Sequence, residues 1–338
     1  MVHGISLMHS RGSLLAKVAI YFAIITLLAG ADNNKPISLN RPAAADETAS
    51  QANTSGAAAR IRVETTLVQI NVTVTDPLNR FVTGIAKEYF RLFEDKVEQQ
   101  IVQVSSEDAP LSVGLVFDTS GSMGAKLRQS REAVFQFLKN ANPEDEFFLI
   151  EFNDRPELVV PFTRDTEDIQ SRLTFTQPEG TTALLDGVYL AMQRMKKAHN
   201  PRKAILIISD GGDNASRYTE REIRNAVREA DVQIYGIGIF EPRESRDLSW
   251  EEIMGPTLLS DISGLTGGQA YTVNNLSELP DIATRIGIDL RNQYVLYYCP
   301  KNQARDGKFR HVTVTLTKPR GCPSLKAAFR LGYFAPSE

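Results

Sequence analysis

Side chains that carry oxygen donors cluster in a turn that follows a strongly apolar segment. Residues 113–117 read VGLVF and lead directly into Asp118, Ser120 and Ser122, so one carboxylate and two hydroxyls occupy alternate positions. Ligands of open α/β sheets bind beyond the carboxyl ends of the strands. We therefore expect these three side chains to face one point at such an end, where they could hold a cation.

Two more segments bring oxygen donors to the same edge of the predicted sheet. Residues 180–183 read GTTA and open a predicted helix, and the apolar run 205–209 ends in Asp210. Two acids and three hydroxyls suit a hard divalent cation, which takes about six oxygen ligands. Mg²⁺ is therefore the predicted ion, with Mn²⁺ or Ca²⁺ as alternatives, whereas zinc prefers His or Cys.

Alternating strand-like and helix-like segments position this edge. Between residues 111 and 292 the pattern is typical of an α/β fold with a doubly wound, mostly parallel sheet and helices on both faces. The predicted strands are residues 112–117, 147–152, 158–162 (an antiparallel edge strand), 204–209, 232–239 and 269–273. The predicted helices are residues 127–139, 166–173, 183–198, 219–230 and a last one, capped by Ser277, whose face is Leu279, Ile282, Ile286 and Leu290.

The flanks of this region alternate with a period of two residues, which is typical of β-strands. Such runs occur at residues 67–74, 294–298, 310–317 and 325–331, and residues 90–93 are predicted to pair with 100–104 through a turn at 94–96. Neither flank has enough strands for a core of its own. We therefore expect one small, antiparallel, sandwich-like β domain built from both flanks, with the α/β domain inserted between them.

The N-terminus has the pattern of an export signal. Arg11 and Lys17 precede an apolar run at residues 18–29, which is too short for a membrane span and is followed by small residues suited to cleavage. The alternative is an uncleaved anchor that would be the chain's one contact with a membrane. The predicted boundaries are a signal peptide at residues 1–31, a flexible tether at 32–59, the β domain at 60–109 and 293–338, and the α/β domain at 110–292.

Composition and charge restrict the function classes. The 338 residues are 42% hydrophobic and carry a net charge of −3, so the chain is neither disordered nor attracted to phosphate backbones, and nucleic acid is not an expected partner.

The two cysteines, Cys299 and Cys322, each precede a proline near the C-terminus. In an exported protein they are predicted to form a disulfide, with two buried free thiols as the alternative.

The ordered set of motifs resembles the von Willebrand factor type A (VWA) domain and its metal-ion-dependent adhesion site. The resemblance covers about 180 residues, and it aligns Thr182 with the metal-binding threonine, with Thr181 as the competing position. It implies that Ser120, Ser122 and Thr182 contact the ion directly. It also implies that Asp118 and Asp210 act largely through waters and hydrogen bonds, with roles that can exchange between conformations.

Three segments in the flanks extend the resemblance to an exported, VWA-related family described from acidobacteria. They are residues 72–76 (VTVTD), 93–95 (FED) and 331–336 (LGYFAP), so nearly the whole mature chain is covered. The resemblance implies a periplasmic, cell-envelope or extracellular location. The non-catalytic adhesion or scaffolding role, in which a protein partner supplies an Asp or Glu to the cation, is implied by the VWA domain itself. The oligomeric state stays open.

Three alternative functions stay open, and the first two use the same residues. Asp118 beside Mg²⁺ could attack a phosphate in a phosphoryl transferase, although Ser120 stands where a second acid is expected. Residues 120–124 superficially resemble the nucleophile elbow of a serine hydrolase, but His199 precedes a strand and belongs to the opposite sheet edge, and His311 lies in the β flank. A purely structural module that assembles through its β flanks is the third alternative.

Several further side chains have a structural interpretation beside the functional one. Asp186 and Asp213 lie close to the motifs and either cap helices or support the site indirectly. Met192 and Met195 are three residues apart on a predicted helix and are expected to pack in the core. A basic cluster is predicted to lie on a solvated helix end and loop: Lys196, Lys197, Arg202 and Lys203.

Overall fold

A computed structural model describes residues 67–106, 109–210, 212–240, 250–317 and 324–337. The chain divides into a unit of residues 1–61 and a unit of residues 62–338, and all the described residues belong to the second unit. The predicted signal peptide and tether lie outside the described residues, as does Cys322. The disulfide between Cys299 and Cys322 therefore stays a prediction. None of the helices in the described ranges is long and apolar enough to cross a membrane.

Strands and helices are numbered here in chain order. The strands are β1 (Val68–Thr75), β2 (Phe90–Glu94), β3 (Val97–Gln99), β4 (Ile101–Ser105), β5 (Leu111–Asp118), β6 (Glu146–Phe152), β7 (Pro156–Thr163), β8 (Arg202–Ser209), β9 (Gln233–Ile239), β10 (Ala270–Val273), β11 (Tyr294–Tyr298), β12 (Phe309–Leu316), β13 (Lys326–Phe329) and β14 (Gly332–Phe334). The helices are α1 (Leu127–Leu138), α2 (Thr166–Phe175), α3 (Leu184–Met195), α4 (Glu220–Glu229), α5 (Trp250–Leu265) and α6 (Leu279–Arg291).

The central sheet has six strands in the order β10-β9-β8-β5-β6-β7. All neighbours are parallel except β7, which runs antiparallel to β6 at the edge, as the sequence predicts. Strands β5, β6 and β9 are buried along their whole length because the sheet is covered on both faces. The doubly wound α/β architecture is confirmed.

Helices cover the two faces of this sheet through separate cores. One core includes Val134 and Phe137 of α1 and Ile286 of α6, and the other includes Val188 of α3 and Ile223 of α4. The predicted core packing of two methionines is confirmed, because both lie in this second core and are almost fully buried: Met192 and Met195.

Two features of the helices differ from the sequence prediction. Helix α5 was not predicted, because Pro256 interrupts its apolar pattern, yet its buried Leu259 packs in the core beneath the sheet. Ser277 is not the cap of α6. Asn275 instead caps a short 3₁₀ turn at residues 276–278 by accepting a hydrogen bond from the backbone N–H of Ser277 at 3.1 Å, and α6 continues from that turn.

Strands from both chain flanks form two antiparallel sheets, in the orders β13-β1-β11-β4 and β14-β12-β2-β3. Ile70, Leu92 and Val312 come from different parts of the chain and share one core between these sheets. The pairing predicted between residues 90–93 and 100–104 is wrong. Strand β2 pairs with β3 through a tight turn, and the chain then crosses to the other sheet, where β4 pairs with β11.

One member of the predicted basic cluster is not solvated. Lys196 and Lys197 are exposed, but Arg202 is only 3% exposed at the start of β8. Its guanidinium donates to the carbonyl of Leu290 and lies 3.4 Å from Gln293 Oε1. The strand begins two residues before the predicted start at residue 204, and this places Arg202 between the α/β domain and the β flank.

Candidate metal centre

Asp118 is the last residue of β5, a central strand of the sheet, and its side chain is fully buried. Its Oδ1 accepts a hydrogen bond from the backbone N–H of Ser120 at 2.9 Å, and its Oδ2 accepts one from Ser209 Oγ at 2.5 Å. Ser209 ends the neighbouring strand β8. The carboxylate is therefore fixed in orientation by its own turn and by the adjacent strand.

The two predicted serine ligands lie side by side in the turn after β5. Ser120 Oγ and Ser122 Oγ are 3.1 Å apart, and a single 3₁₀ turn at Gly121–Met123 holds them in this arrangement. Met123 is fully buried and anchors the turn in the core beneath. Ser120 is buried, whereas Ser122 is exposed, so this hydroxyl pair lies between the interior and the solvent.

Backbone hydrogen bonds join the second motif segment to the first. The N–H of Glu179 donates to the carbonyl of Thr119 at 2.8 Å, and the N–H of Gly121 donates to the carbonyl of Gly180 at 3.1 Å. Gly180 has a φ of +78°, and a Cβ at that position would lie 2.6 Å from Asp154 Oδ1. Only glycine fits this close approach.

The structure distinguishes the two candidate threonines in this loop. Thr181 is exposed, and both its backbone N–H and its hydroxyl donate to Asp154 Oδ1 at 2.6 Å. Thr182 is 5% exposed, and its backbone N–H donates to Asn214 Oδ1 at 2.9 Å. Because the hydroxyl of Thr181 is already bound to an acid, the geometry favours Thr182 as the threonine of the site.

Asp210 follows directly after β8, next to the strand that carries Asp118, and it is buried. Its Oδ2 forms an ion pair with Lys126 Nζ at 3.0 Å. Lys126 was not identified from the sequence, because no local pattern marks this lysine as buried and its acceptor, Asp210, lies 84 residues further along the chain.

The two acids of the site repel each other in a buried environment. Burial raises the pKa of Asp118, the nearby charge of Asp210 raises it further, and the hydrogen bonds from Ser120 and Ser209 oppose this only in part, so the pKa reaches about 7. A divalent cation would relieve both the desolvation and the repulsion. This chemistry, together with the adjacent hydroxyls, fits an oxygen-liganded ion such as Mg²⁺.

The ligand set depends on hydroxyl oxygens as well as acids. Within the described ranges, no group of three or more His, Cys, Asp or Glu side chains is placed to hold a metal ion. Next to the turn that carries Ser120 is a cavity of about 490 Å³ whose lining includes Thr119, Glu179 and Phe175. Phe175 is 79% exposed, so an apolar ring lies at the rim of this cavity.

The two acids predicted either to cap helices or to support the site indirectly bind backbone and side-chain donors nearby. Asp186 accepts from the N–H groups of Arg217 and Tyr218 at 2.9 and 3.1 Å, and therefore holds the turn before α4. Asp213 accepts from Ser216 Oγ at 2.6 Å and from the N–H of Leu185, in the first turn of α3, at 3.3 Å. Both therefore organise loops next to the site.

His199 lies at the opposite end of the sheet, as the sequence predicts. Its Nδ1 is 2.8 Å from Glu146 Oε2, and Glu146 is the first residue of β6. His311 lies on β12 in the β flank. The arrangement therefore does not support the serine-hydrolase alternative, because neither imidazole is near Ser120 or Ser122.

Comparison with known families identifies the central part of the chain. Residues 113–212 match the family model of the von Willebrand factor type A domain. This range begins in β5 and ends just after Asp210, so it contains all five predicted ligands. The predicted resemblance of the whole chain to the acidobacterial family is not tested by this match.

Two relatives are similar to part of this chain. An uncharacterised protein of Borreliella burgdorferi is 28% identical over 188 residues, which are 49% of this chain and 55% of that protein. Inter-alpha-trypsin inhibitor heavy chain H4 of Bos taurus is 31% identical over 134 residues, or 36% of this chain and 15% of that protein. The chain therefore spans about half of the first relative and a small part of the second.

Among solved structures, a von Willebrand factor type A protein from Catenulispora acidiphila aligns with a TM-score of 0.47 and 11% identity. The alignment covers 80% of this chain and 75% of that one.

Proposed function

Because the chain contains a von Willebrand factor type A domain, we propose that it is an exported, non-catalytic protein that binds a protein partner through a divalent cation. The predicted ligands are Asp118, Ser120, Ser122, Thr182 and Asp210. One observation carries the proposal: two buried acids that repel each other lie beside paired serine hydroxyls at an edge that is open to solvent at Ser122.

The hydrogen bonds of the site support a division of roles among the ligands. Both oxygens of Asp118 already accept hydrogen bonds, so this acid suits an indirect role that orients Ser120 and contributes negative charge. Ser120, Ser122 and Thr182 are then the predicted direct ligands. When bound, a divalent cation would supply a positive centre to which a carboxylate of the partner can coordinate.

The surroundings of the site support a protein as the partner. A cavity of about 490 Å³ adjoins the turn that carries Ser120, and the ring of Phe175 at its rim is largely exposed. An exposed aromatic side chain beside a polar cavity is a feature of protein-binding surfaces. The partner is therefore predicted to place an Asp or Glu at Ser122 and neighbouring side chains in this cavity.

The phosphoryl-transfer alternative gains no support from the geometry. A nucleophilic Asp118 would need a free carboxylate oxygen directed at the substrate, but both of its oxygens accept hydrogen bonds from Ser120 and Ser209. Metal-dependent turnover of a phosphate ester that is lost in Asp118→Asn would overturn the non-catalytic proposal. Unchanged partner binding after loss of the metal site would favour the structural-module alternative.

Calorimetric titration of the purified chain with Mg²⁺ and Mn²⁺ tests the metal site. We expect Thr182→Ala to weaken binding by about tenfold or more, because it removes a direct oxygen ligand. Thr181→Ala is the matched control and is expected to bind as the wild type does, since its hydroxyl is bonded to Asp154. Equal affinities in all three proteins would contradict the proposed ligand set.

The proposed partner and location have their own tests. A pull-down from native cell envelope with magnesium, repeated with a chelator, is expected to recover the partner only when magnesium is present. Recovery of the same partner with the chelator would contradict metal-dependent binding. The intact mass of the protein from the envelope decides between a cleaved signal peptide and an anchor, because an anchor retains residues 1–31.

A further inference from the structure

A lysine is built into the predicted metal centre. Lys126 is 6% exposed, and its Nζ lies 3.0 Å from Oδ2 of Asp210. Its backbone is fixed as well, since its N–H donates to the carbonyl of Met123 at 2.9 Å and its carbonyl accepts from the N–H of Ser130 at 3.0 Å. The backbone of Lys126 is therefore hydrogen-bonded to the turn that carries Ser122, and its ammonium group is held beside Asp210 by the ion pair.

Burying a lysine is costly unless its charge is compensated. Here the compensation comes from Asp210, which is also a predicted ligand of the cation. Asp118 and Asp210 together carry two negative charges when ionised, and Lys126 reduces this to one. A divalent ion in such a site leaves one net positive charge, whereas the two acids alone would neutralise it.

We propose that Lys126 is an internal counter-ion that determines the specificity of the site, weakening the binding of the cation but keeping the loaded site positive so that it selects an anionic partner. The inference rests on the proposed function and adds that the partner is recognised by its negative charge. Lys126 is a positioning and specificity residue, because it acts through Asp210 and not as a ligand of the ion.

A merely structural role for Lys126 makes a different prediction. If the ion pair only ties the turn after β5 to the end of β8, its loss would weaken metal binding or leave it unchanged, because the ligands would be less ordered. If Lys126 is an electrostatic counter-ion, its loss strengthens metal binding, because a positive charge is removed from the neighbourhood of a divalent ion. The sign of the effect separates the two roles.

The experiment compares Lys126→Met, which keeps the length but removes the charge, with Lys126→Arg, which keeps the charge. Lys139→Met, at an exposed position after α1, is the control for a general loss of positive charge. Calorimetry with Mg²⁺ is expected to show that Lys126→Met binds about tenfold more tightly than wild type. Lys126→Arg and Lys139→Met are expected to stay within about twofold. Unchanged or weaker binding by Lys126→Met overturns the proposal.

A second readout measures partner selection with saturating Mg²⁺. The probes are two short peptides that differ only in one Asp or Asn residue. Wild type is expected to prefer the Asp peptide, and Lys126→Met is expected to reduce this preference by about tenfold because its loaded site is neutral. An equal preference in both proteins, or none in the wild type, contradicts the selection of anions.

The outcomes separate this inference from the proposed function. If neither wild type nor Lys126→Met binds Mg²⁺, the proposed function fails and the inference falls with it. If wild type binds and Lys126→Met binds equally, only the role of Lys126 is refuted. Should Lys126→Met not fold, Lys126→Gln is the replacement variant, and failure of both to fold assigns Lys126 to stability alone and overturns the proposal.

Discussion

Buried carboxylates lie at both ends of the central sheet, and their surroundings are very different. At the amino ends of the strands, Asp145 accepts from the N–H groups of Leu111 and Asn142, each at 2.8 Å, and pairs with Arg291. Its neighbour Glu146 accepts from Ser112 and from two nitrogens of His199, its N–H and its ring Nδ1, at 2.5 to 2.8 Å. These acids are surrounded by donors.

The acids at the carboxyl ends of the strands have fewer donors and face each other. Burial raises the pKa of Glu146, but the hydrogen bonds from Ser112 and His199 outweigh it and the pKa is lowered. Burial and the charge of Asp210 instead bring the pKa of Asp118 to about 7. Burial alone therefore does not set the role of an acid. The carboxylates at one end of the sheet are compensated by hydrogen-bond donors, whereas those at the other end are the ones that we propose bind a cation.

The largest expected effect is at the amino end. Asp145→Ala removes a fully buried partner of Arg291 and leaves two backbone N–H groups without their acceptor. We expect the free energy of unfolding to fall by about 3–5 kcal/mol, measured by urea denaturation. The stabilisation by Mg²⁺ should persist in this variant. A loss below about 1 kcal/mol would show that the acids at this end do not stabilise the fold.

Asp118→Ala is the corresponding change at the carboxyl end. It is expected to abolish the stabilisation by Mg²⁺, which Asp145→Ala should leave intact. Wild type is expected to gain about 2.7 kcal/mol of stability when Mg²⁺ is at one hundred times its dissociation constant, whereas the variant gains none. Without metal, the variant should lose less stability than Asp145→Ala does, because relief of the repelled acid offsets part of the cost of leaving Ser120 N–H and Ser209 Oγ without their acceptor. Urea denaturation with and without Mg²⁺ measures the stabilisation by the ion and the stability of the metal-free protein. Equal stabilisation of wild type and variant by Mg²⁺ would contradict a role of Asp118 in metal binding.

A smaller effect is expected in the pH dependence of the metal-free protein. The pKa of Asp118 in the folded state is about 7 and lies above its ordinary value of 3.8, so its contribution to stability is present below pH 3.8 and is lost as the pH rises through 7. Relative to Asp118→Asn, wild type should therefore lose about 2 kcal/mol between pH 5 and pH 8 in a chelating buffer. A constant difference would contradict the raised pKa.

Glu146 provides the matched control for this pH experiment. Its pKa is lowered, so its contribution to stability is present above pH 4.5 and is lost as the pH falls through the lowered pKa of the folded state. Because the ring of His199 contacts Glu146, the comparison is made in a His199→Gln background. Between pH 5 and pH 8, the difference that Glu146→Gln makes in this background should stay constant. A slope for Glu146→Gln in that range would show that the pH dependence is not specific to the carboxyl end.

Local patterns in the sequence predicted the central sheet and the positions of the proposed ligands. The apolar run before Asp118, the similar run before Asp210 and the short turn before β7 each specify a strand and its end, and parallel strands bring those ends to one edge. The motif resemblance preferred Thr182 and left Thr181 as the competing position. What could not be predicted is the contact of Thr181 with Asp154, which lies 27 residues away and supports the preference.

The errors arose where distant contacts override local patterns. A turn at residues 94–96 was predicted to join 90–93 to 100–104, but the partner of β4 is β11, almost two hundred residues away in the chain. Helix α5 was not predicted because Pro256 interrupts its apolar pattern, and buried side chains such as Leu259 pack this helix against the sheet. Arg202 was predicted to be solvated because it is charged, and Lys126 was not identified, yet each donates to a buried acceptor from a distant segment. Sequence spacing shows where a charge lies, whereas its partner depends on the fold.

The central claim is that segments ending in Asp118, Thr182 and Asp210 form one divalent metal site with an open side at Ser122. Anomalous X-ray scattering from a crystal soaked with Mn²⁺ tests this most directly. If the proposed ligand set is correct, we expect one anomalous peak with the oxygens of Ser120, Ser122 and Thr182 about 2.1 Å from it. The absence of a peak there, or a peak coordinated by other residues, would contradict the claim.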